Sequence, residues 1–372
     1  MSWGSFPSRD GAGIFPLPLT CLLLSIALQI AAAPATSPTT MAATDWDLMR
    51  GITPVAYTCA RASGPIMIDG KLDDRAWRGA PWTDDFVDIE GARKPLPRFR
   101  TRAKMLWDDE YFYVAAELAE PHVCATLTKK NSVIYQDNDF EIFIDPDGDN
   151  HDYYEFEVNA HNTIWELHLP KPYRDGGDPK LGANIDGLRS AVHVSGSIND
   201  PRDTDEGWSV EVAIPWAGLK QYNDGRATPP RTGDVWRVNF SRVQWTYDVT
   251  DGRYVKRPRE RQPEDNWVWS PQGVIDMHRP ERWGIVLFSD RAGTRVPSEV
   301  MNEISLRDRL TEVYYRQHAF RKANGRWAGS LHELGIDKPA IRMSRSGDAW
   351  TAVETESGRR FSITSDSRLR AD

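Results

Sequence analysis

The chain has 372 residues, 40% hydrophobic and 27% charged, which is enough to bury a substantial core and excludes both a disordered chain and a multi-span membrane protein. A formal net charge of -8 argues against nucleic acid as a partner, because phosphate binding needs a basic face. Fifteen Trp beside 12 Tyr and 12 Phe stand out, since indole offers a flat apolar face with one N–H donor, suited both to cores and to stacking on sugar rings.

Residues 17–33, LPLTCLLLSIALQIAAA, are apolar and end in small residues after a polar leader with Arg9, so 1–33 reads as a signal peptide. Its apolar core is shorter than the ~20 residues a spanning helix needs. The expectation is export, giving a secreted, periplasmic or cell-surface protein with no membrane span after cleavage. Cleavage would leave Cys59 and Cys124, either paired or as two buried thiols. Residues 34–56 are rich in Pro, Thr and Ala without a sustained period and read as a linker.

From residue 57 the pattern changes to short alternating runs, 102–107, 111–118, 140–144, 154–159, 163–169, 191–194, 208–214, 235–243 and 283–288, separated by Asp- and Gly-rich turns. Strands without intervening long helices predict an all-β, antiparallel β-sandwich over 57–290. Residues 291–372 differ: 15 basic and 11 acidic residues give +4, against -12 for the rest. Leu306, Leu310, Val313, Tyr314, Gln317 and Phe320 mark one amphipathic helix stopped by Asn324-Gly325. A short helix at 330–334 and a hairpin of 350–353 with 360–364 complete a small C-terminal α+β module, whose order resembles pilin-like globular modules and suggests a protein partner.

If 140–145 and 153–159 pair across Asp147-Gly148, Phe140, Ile142, Ile144, Tyr154, Phe156 and Val158 share the core face. The opposite face then carries Asp139, Glu141, Glu155, Glu157 and Asn159, acceptors able to bind sugar hydroxyls. Arg242 and Asn239 could supply matching donors. Asp145, Asp147 and Asp149 cluster hard oxygen ligands and invite calcium, although the spacing is not that of an EF-hand; a solvated hairpin turn is the other reading. The histidines show no zinc-ligand spacing.

Seven motifs then arrive in a fixed order: IDGKLDD (68–74), MLWDDEYFYV (105–114), QDNDFEIFID (136–145), YYEFEVNA (153–160), GWSVEVAIPW (207–216), WRVNFSR (236–242) and PERWG (280–284). Together they resemble carbohydrate-binding module family 9 and its family-9-like relatives, often appended to xylanases. The resemblance implies a sandwich that holds a terminal sugar between two aromatic rings, with structural calcium. Tyr135, six residues before Glu141, takes the place of the first ring, where Trp is usual; Asn266 and Trp269 match the second, and Trp267 is its alternative. The implied function is non-catalytic binding of a polysaccharide or oligosaccharide of the xylan or glucan type. Two alternatives stay open: a glycoside hydrolase using Glu141 with Glu155 or Glu157, and a haem-bearing redox sandwich, for which Met105 is the one strand methionine available.

Overall fold

The computed structural model describes residues 43–259 and 263–371, so the expected signal peptide lies outside the described residues. A helical turn α1 (Asp45–Met49) precedes β1 (Ala56–Arg61), a short helix α2 (Arg75–Gly79), the two-residue β2 (Val87–Asp88) and the hairpin β3 (Thr101–Trp107) and β4 (Tyr111–Ala119). A meander follows: β5 (Asp139–Asp145), β6 (Tyr153–Asn159), β7 (Ile164–Leu169) and the short β8 (Lys180–Leu181). Then come β9 (Arg189–Ser195), β10 (Gly207–Pro215), the helical turn α3 (Trp216–Leu219), β11 (Val235–Trp245), β12 (Tyr247–Thr250), β13 (Arg253–Lys256), β14 (Glu264–Val268) and β15 (Gly284–Ser289).

Thirteen strands join one sheet in the order β8-β7-β6-β5-β11-β15-β1-β3-β4-β10-β9, with β14 on β11 and β2 on β14. The sheet folds back on itself. Val114 of β4 and Val210 of β10 share one buried cluster with Phe140 and Ile142 of β5 and Phe240 of β11, so the two halves enclose a common core. The expected sandwich is therefore present, and the alternation of β5 and β6 buries Phe140, Ile142, Ile144, Tyr154, Phe156 and Val158 as predicted. Met105 also lies in this core. Unforeseen is β1, which runs parallel to both neighbours, β15 and β3. β12 and β13 form a separate hairpin turning at Asp251-Gly252, both at positive φ (50° and 71°), as a two-residue turn matched to strand twist requires. Cys59 and Cys124 are buried free thiols.

Beyond the sandwich, α4 (Ser298–Asn324) packs on a meander of β16 (Arg342–Ser346), β17 (Ala349–Glu356), β18 (Arg359–Thr364) and β19 (Leu369–Ala371). Its predicted stripe is buried, and Gly325 at φ 68° caps it. The segment expected to be a linker differs from residue 45 onward. Trp46 and Met49 of α1 are buried in the same apolar cluster as α4 and the terminal sheet, and Arg316 holds Asp47 at 2.7 Å. Apolar side chains spaced three apart on one helical turn supply the reason.

The turn between β5 and β6 is not solvated either, because it is the seat of the terminal module. Arg368 Nε donates to Asp149 at 2.6 Å, Asn150 Nδ2 to the Ser367 carbonyl at 2.9 Å, and the Leu369 N–H to the Asp149 carbonyl at 2.9 Å.

Candidate functional site

The core face of β5 and β6 leaves the opposite face to Glu141, Phe143, Glu155 and Glu157, with Glu141 directly across from Glu157 and Phe143 across from Glu155. A cavity of about 320 Å³ opens over this face, lined also by Tyr135, Trp165, Tyr173, Glu264, Asn266 and His278. Tyr135 and Tyr173 are the exposed rings of its rim (44% and 46%), and Tyr135 leans toward Trp165 with centroids 6.4 Å apart and planes inclined by 32°. Tyr173 stands edge-on to His278 at 4.5 Å. Rings above carboxylates can stack on a ligand and accept its hydrogen bonds together.

The floor is electrostatically loaded. Burial, with the charge of Glu264 adding to it, pushes Glu141 up to about 7. Burial and then the charge of Glu141 raise Glu155 well above the usual carboxylate range, and burial with Glu141, Glu155 and Asp139 does the same to Glu157. Glu157 accepts the Tyr135 N–H at 3.0 Å. Four polar atoms at this face have no hydrogen-bond partner among the described residues: Glu155 Oε2, Asp139 Oδ2, Ser241 Oγ and Trp165 Nε1.

Of the residues singled out from sequence, the cavity unites Tyr135, Glu141, Glu155, Glu157 and Asn266. It does not include Trp269, Trp267, Arg242 or Asn159. Along β14 the side chains alternate, so Asn266 facing the cavity turns Trp267 inward, where it is 3% exposed between the guanidinium groups of Arg98 and Arg242 at 5.1 and 5.2 Å. Trp269 is equally buried, against Tyr57 and Phe240. Its ring lies so close to Gly284 that a Cβ there would stand 2.3 Å from Cζ3, which accounts for the glycine of PERWG. Arg242, inward like Phe240 two positions earlier, donates to Glu120 at 2.9 Å and to Thr101 Oγ1 at 2.9 Å. Asn159 locks a loop, donating to Asp137 at 2.9 Å and to the Leu127 carbonyl at 2.8 Å. Sequence reasoning missed Trp165, Tyr173 and His278; carrying the register of β6 onto β7, where Glu157 meets Trp165, would have found the first.

Asp145, Asp147 and Asp149 place carboxylate oxygens within 4.8 Å of one another. Hard oxygens so clustered fit a calcium ion in chemistry. Asp145 accepts the Gly148 and Asn150 N–H groups, both at 2.9 Å, and Asp149 is shared with Arg368. Burial and the charges of Asp147 and Asp149 raise Asp145 well above the ordinary range, a repulsion that a cation would relieve.

A folded-over, mainly antiparallel sheet with a ring-rimmed polar cavity on its outer face defines a ligand-binding β-sandwich. Residues 68–229 match the family described as carbohydrate family 9 binding domain-like, so the resemblance read from the motifs holds over that stretch. Similar proteins include the exoglucanase XynX of Acetivibrio thermocellus (29% identical over 196 residues, 49% of this chain and 15% of that protein). Endo-1,4-beta-xylanase A of Thermoanaerobacterium saccharolyticum is 28% identical over 193 residues, 49% of this chain and 14% of its own. The chain thus spans about one seventh of the length of these relatives. Among solved structures, a carbohydrate-binding protein described as putative from Bacteroides uniformis aligns at a TM-score of 0.47 and 16% identity, over 64% of this chain and all of that one. A family 9 module from Caldicellulosiruptor kristjanssonii in complex with cellotriose aligns at 0.39 and 19%, over 65% of this chain and 98% of its own. No helix among the described residues is long and apolar enough to cross a membrane.

Proposed function

We propose that this chain is an exported, non-catalytic carbohydrate-binding protein that holds a sugar unit of a β-linked glycan, xylan or glucan, in the cavity over β5 and β6. One observation carries the reading: a buried acceptor without a donor, Glu155 Oε2, and a buried donor without an acceptor, Trp165 Nε1, belong to residues lining one ring-rimmed cavity. A hydroxyl group is both donor and acceptor and satisfies such a pair, while the rings stack on the pyranose. The family match and the xylanase and exoglucanase names of its relatives favour the same class of ligand.

Calcium at Asp145, Asp147 and Asp149 forms part of this proposal, as a clamp on the β5 to β6 turn and not as a contact to sugar. Calorimetric titration with xylo- and cello-oligosaccharides tests the function: saturable heat that disappears in Trp165→Ala, with circular dichroism unchanged, is expected. Reducing ends released on incubation with either oligosaccharide would overturn the non-catalytic reading.

A further inference from the structure

The cavity gathers four carboxyl groups, whose ionised forms a neutral sugar cannot neutralise. Glu141, Glu155, Glu157 and Glu264 all line it, from β5, β6 and β14, and no Lys or Arg lines it among the described residues. His278 does not compensate, because burial holds it down to about 4 and hence neutral. Lys256, whose charge reaches Glu264, is kept over the Trp245 ring at 3.7 Å. Arg174 is committed to Glu281 at 2.9 Å.

Glu155 is 5% exposed and Glu157 2% exposed, so water screens them poorly. Hydroxyl donors satisfy lone pairs but bring no charge. An ammonium group brings three donors and a positive charge, and Tyr135, Trp165 and Tyr173 line the same space, where an aromatic ring can attract a cation.

We infer that the preferred ligand of this cavity is an amine-bearing sugar, a β-linked glucan chain with protonated amino groups, its ammonium seated among Glu141, Glu155 and Glu157 beneath the Tyr135 and Trp165 rings. The inference rests on the sugar-binding reading and adds to it the charge of the ligand. The backbone shape is that of a neutral β-glucan, so the rings stack on either; the carboxylates distinguish them.

The test is calorimetric titration of the full chain with three trimers: fully deacetylated glucosamine trimer, its N-acetylated counterpart and cellotriose, each in EDTA and in calcium chloride, slightly below neutral pH. The glucosamine trimer is expected to bind on the order of tenfold or more tighter than either neutral trimer. That preference should shrink with added salt, and in Glu155→Gln the glucosamine trimer should bind no tighter than cellotriose, whatever affinity the variant keeps for either. Equal affinity for all three trimers overturns the amine while leaving sugar binding in place; no heat with any trimer overturns both. Calcium chloride alone giving saturable heat that is lost in Glu141→Gln, together with loss of the amine preference in calcium, assigns the charge to a metal ion and also overturns the inference. Tyr135→Ala, at an exposed ring, serves as the variant certain to leave the core untouched.

Discussion

Glu141 and Glu157 face each other directly across β5 and β6, both buried, with a third carboxylate, Glu155, beside them on β6. Like charges opposite one another destabilise a sheet, so this face is held at a cost in stability that packing alone would not impose.

Removing one of these charges should stabilise the ligand-free chain, and more so as pH rises. Glu141 has its ordinary value of 4.5 when unfolded and about 7 when folded, so the folded chain holds its proton more tightly. The stability from that protonation is fully present below 4.5 and is lost as pH rises through about 7. His278, lowered to about 4, works in the opposite direction between 4 and 6.5, so the comparison is between wild type and Glu141→Gln at each pH. The variant should be more stable by on the order of 1–3 kcal/mol at pH 8 and by little at pH 5. Denaturant midpoints at the two values decide it; a difference that does not change with pH contradicts the argument.

Two tryptophans should separate cleanly. Trp269→Ala removes a core ring against Tyr57 and Phe240 and should cost about 3–5 kcal/mol. Trp165→Ala, which also takes a ring from a buried cluster with Phe143 and Leu167, should lower the melt too, but unlike Trp269→Ala it should weaken oligosaccharide binding at least tenfold in the chain that remains folded. Thermal melts and titrations on both variants check this, and an unaltered melt for Trp269→Ala would mean that its ring is not core.

Arg242 and Glu120 are almost inaccessible, with side chains 1% and 3% exposed, and form an ion pair at 2.9 Å. Replacing Glu120 by Gln strands the guanidinium and should cost about 3–5 kcal/mol, with ligand affinity unchanged in the fraction that folds. A change in affinity without a change in stability would return Arg242 to the binding site.

Calcium should raise the melting temperature if Asp145, Asp147 and Asp149 hold it, by about 2.7 kcal/mol of stabilisation at a hundredfold excess over its dissociation constant. Asp147→Asn should abolish the increase. A melt unmoved by calcium would leave Arg368 as the cation that serves this turn.

Much of this was legible because it is local. Period two in 140–145 and 153–159 determines both the core face and the carboxylate face, and the spacing of Leu306, Leu310 and Val313 determines the buried stripe of α4. The rest depends on contacts that no short window contains. The parallel partners of β1 come from residues near 106 and 285, a long-range choice with no local signature. Counting positions along a resembling motif led to Trp269 as a clamp ring. The structure takes the backbone N–H of Trp269 into the Phe240 carbonyl at 3.1 Å and lays its ring on Gly284, so the ring ends inside. Tyr173 and His278 meet from loops about a hundred residues apart, and neither segment signals the other.

The clasp between α1 and α4 also sets an order of events. Asp47 must wait for Arg316, 269 positions later, and Trp46 shares its burial with Phe361 and Leu369 near the end of the chain. At roughly 5–20 residues per second of synthesis, that delay is on the order of tens of seconds. Throughout it the earliest described helix presents its tryptophan to water and to proteases. Ribosome-bound chains arrested before β18 should therefore be cut near α1, and completed chains should resist at the same position.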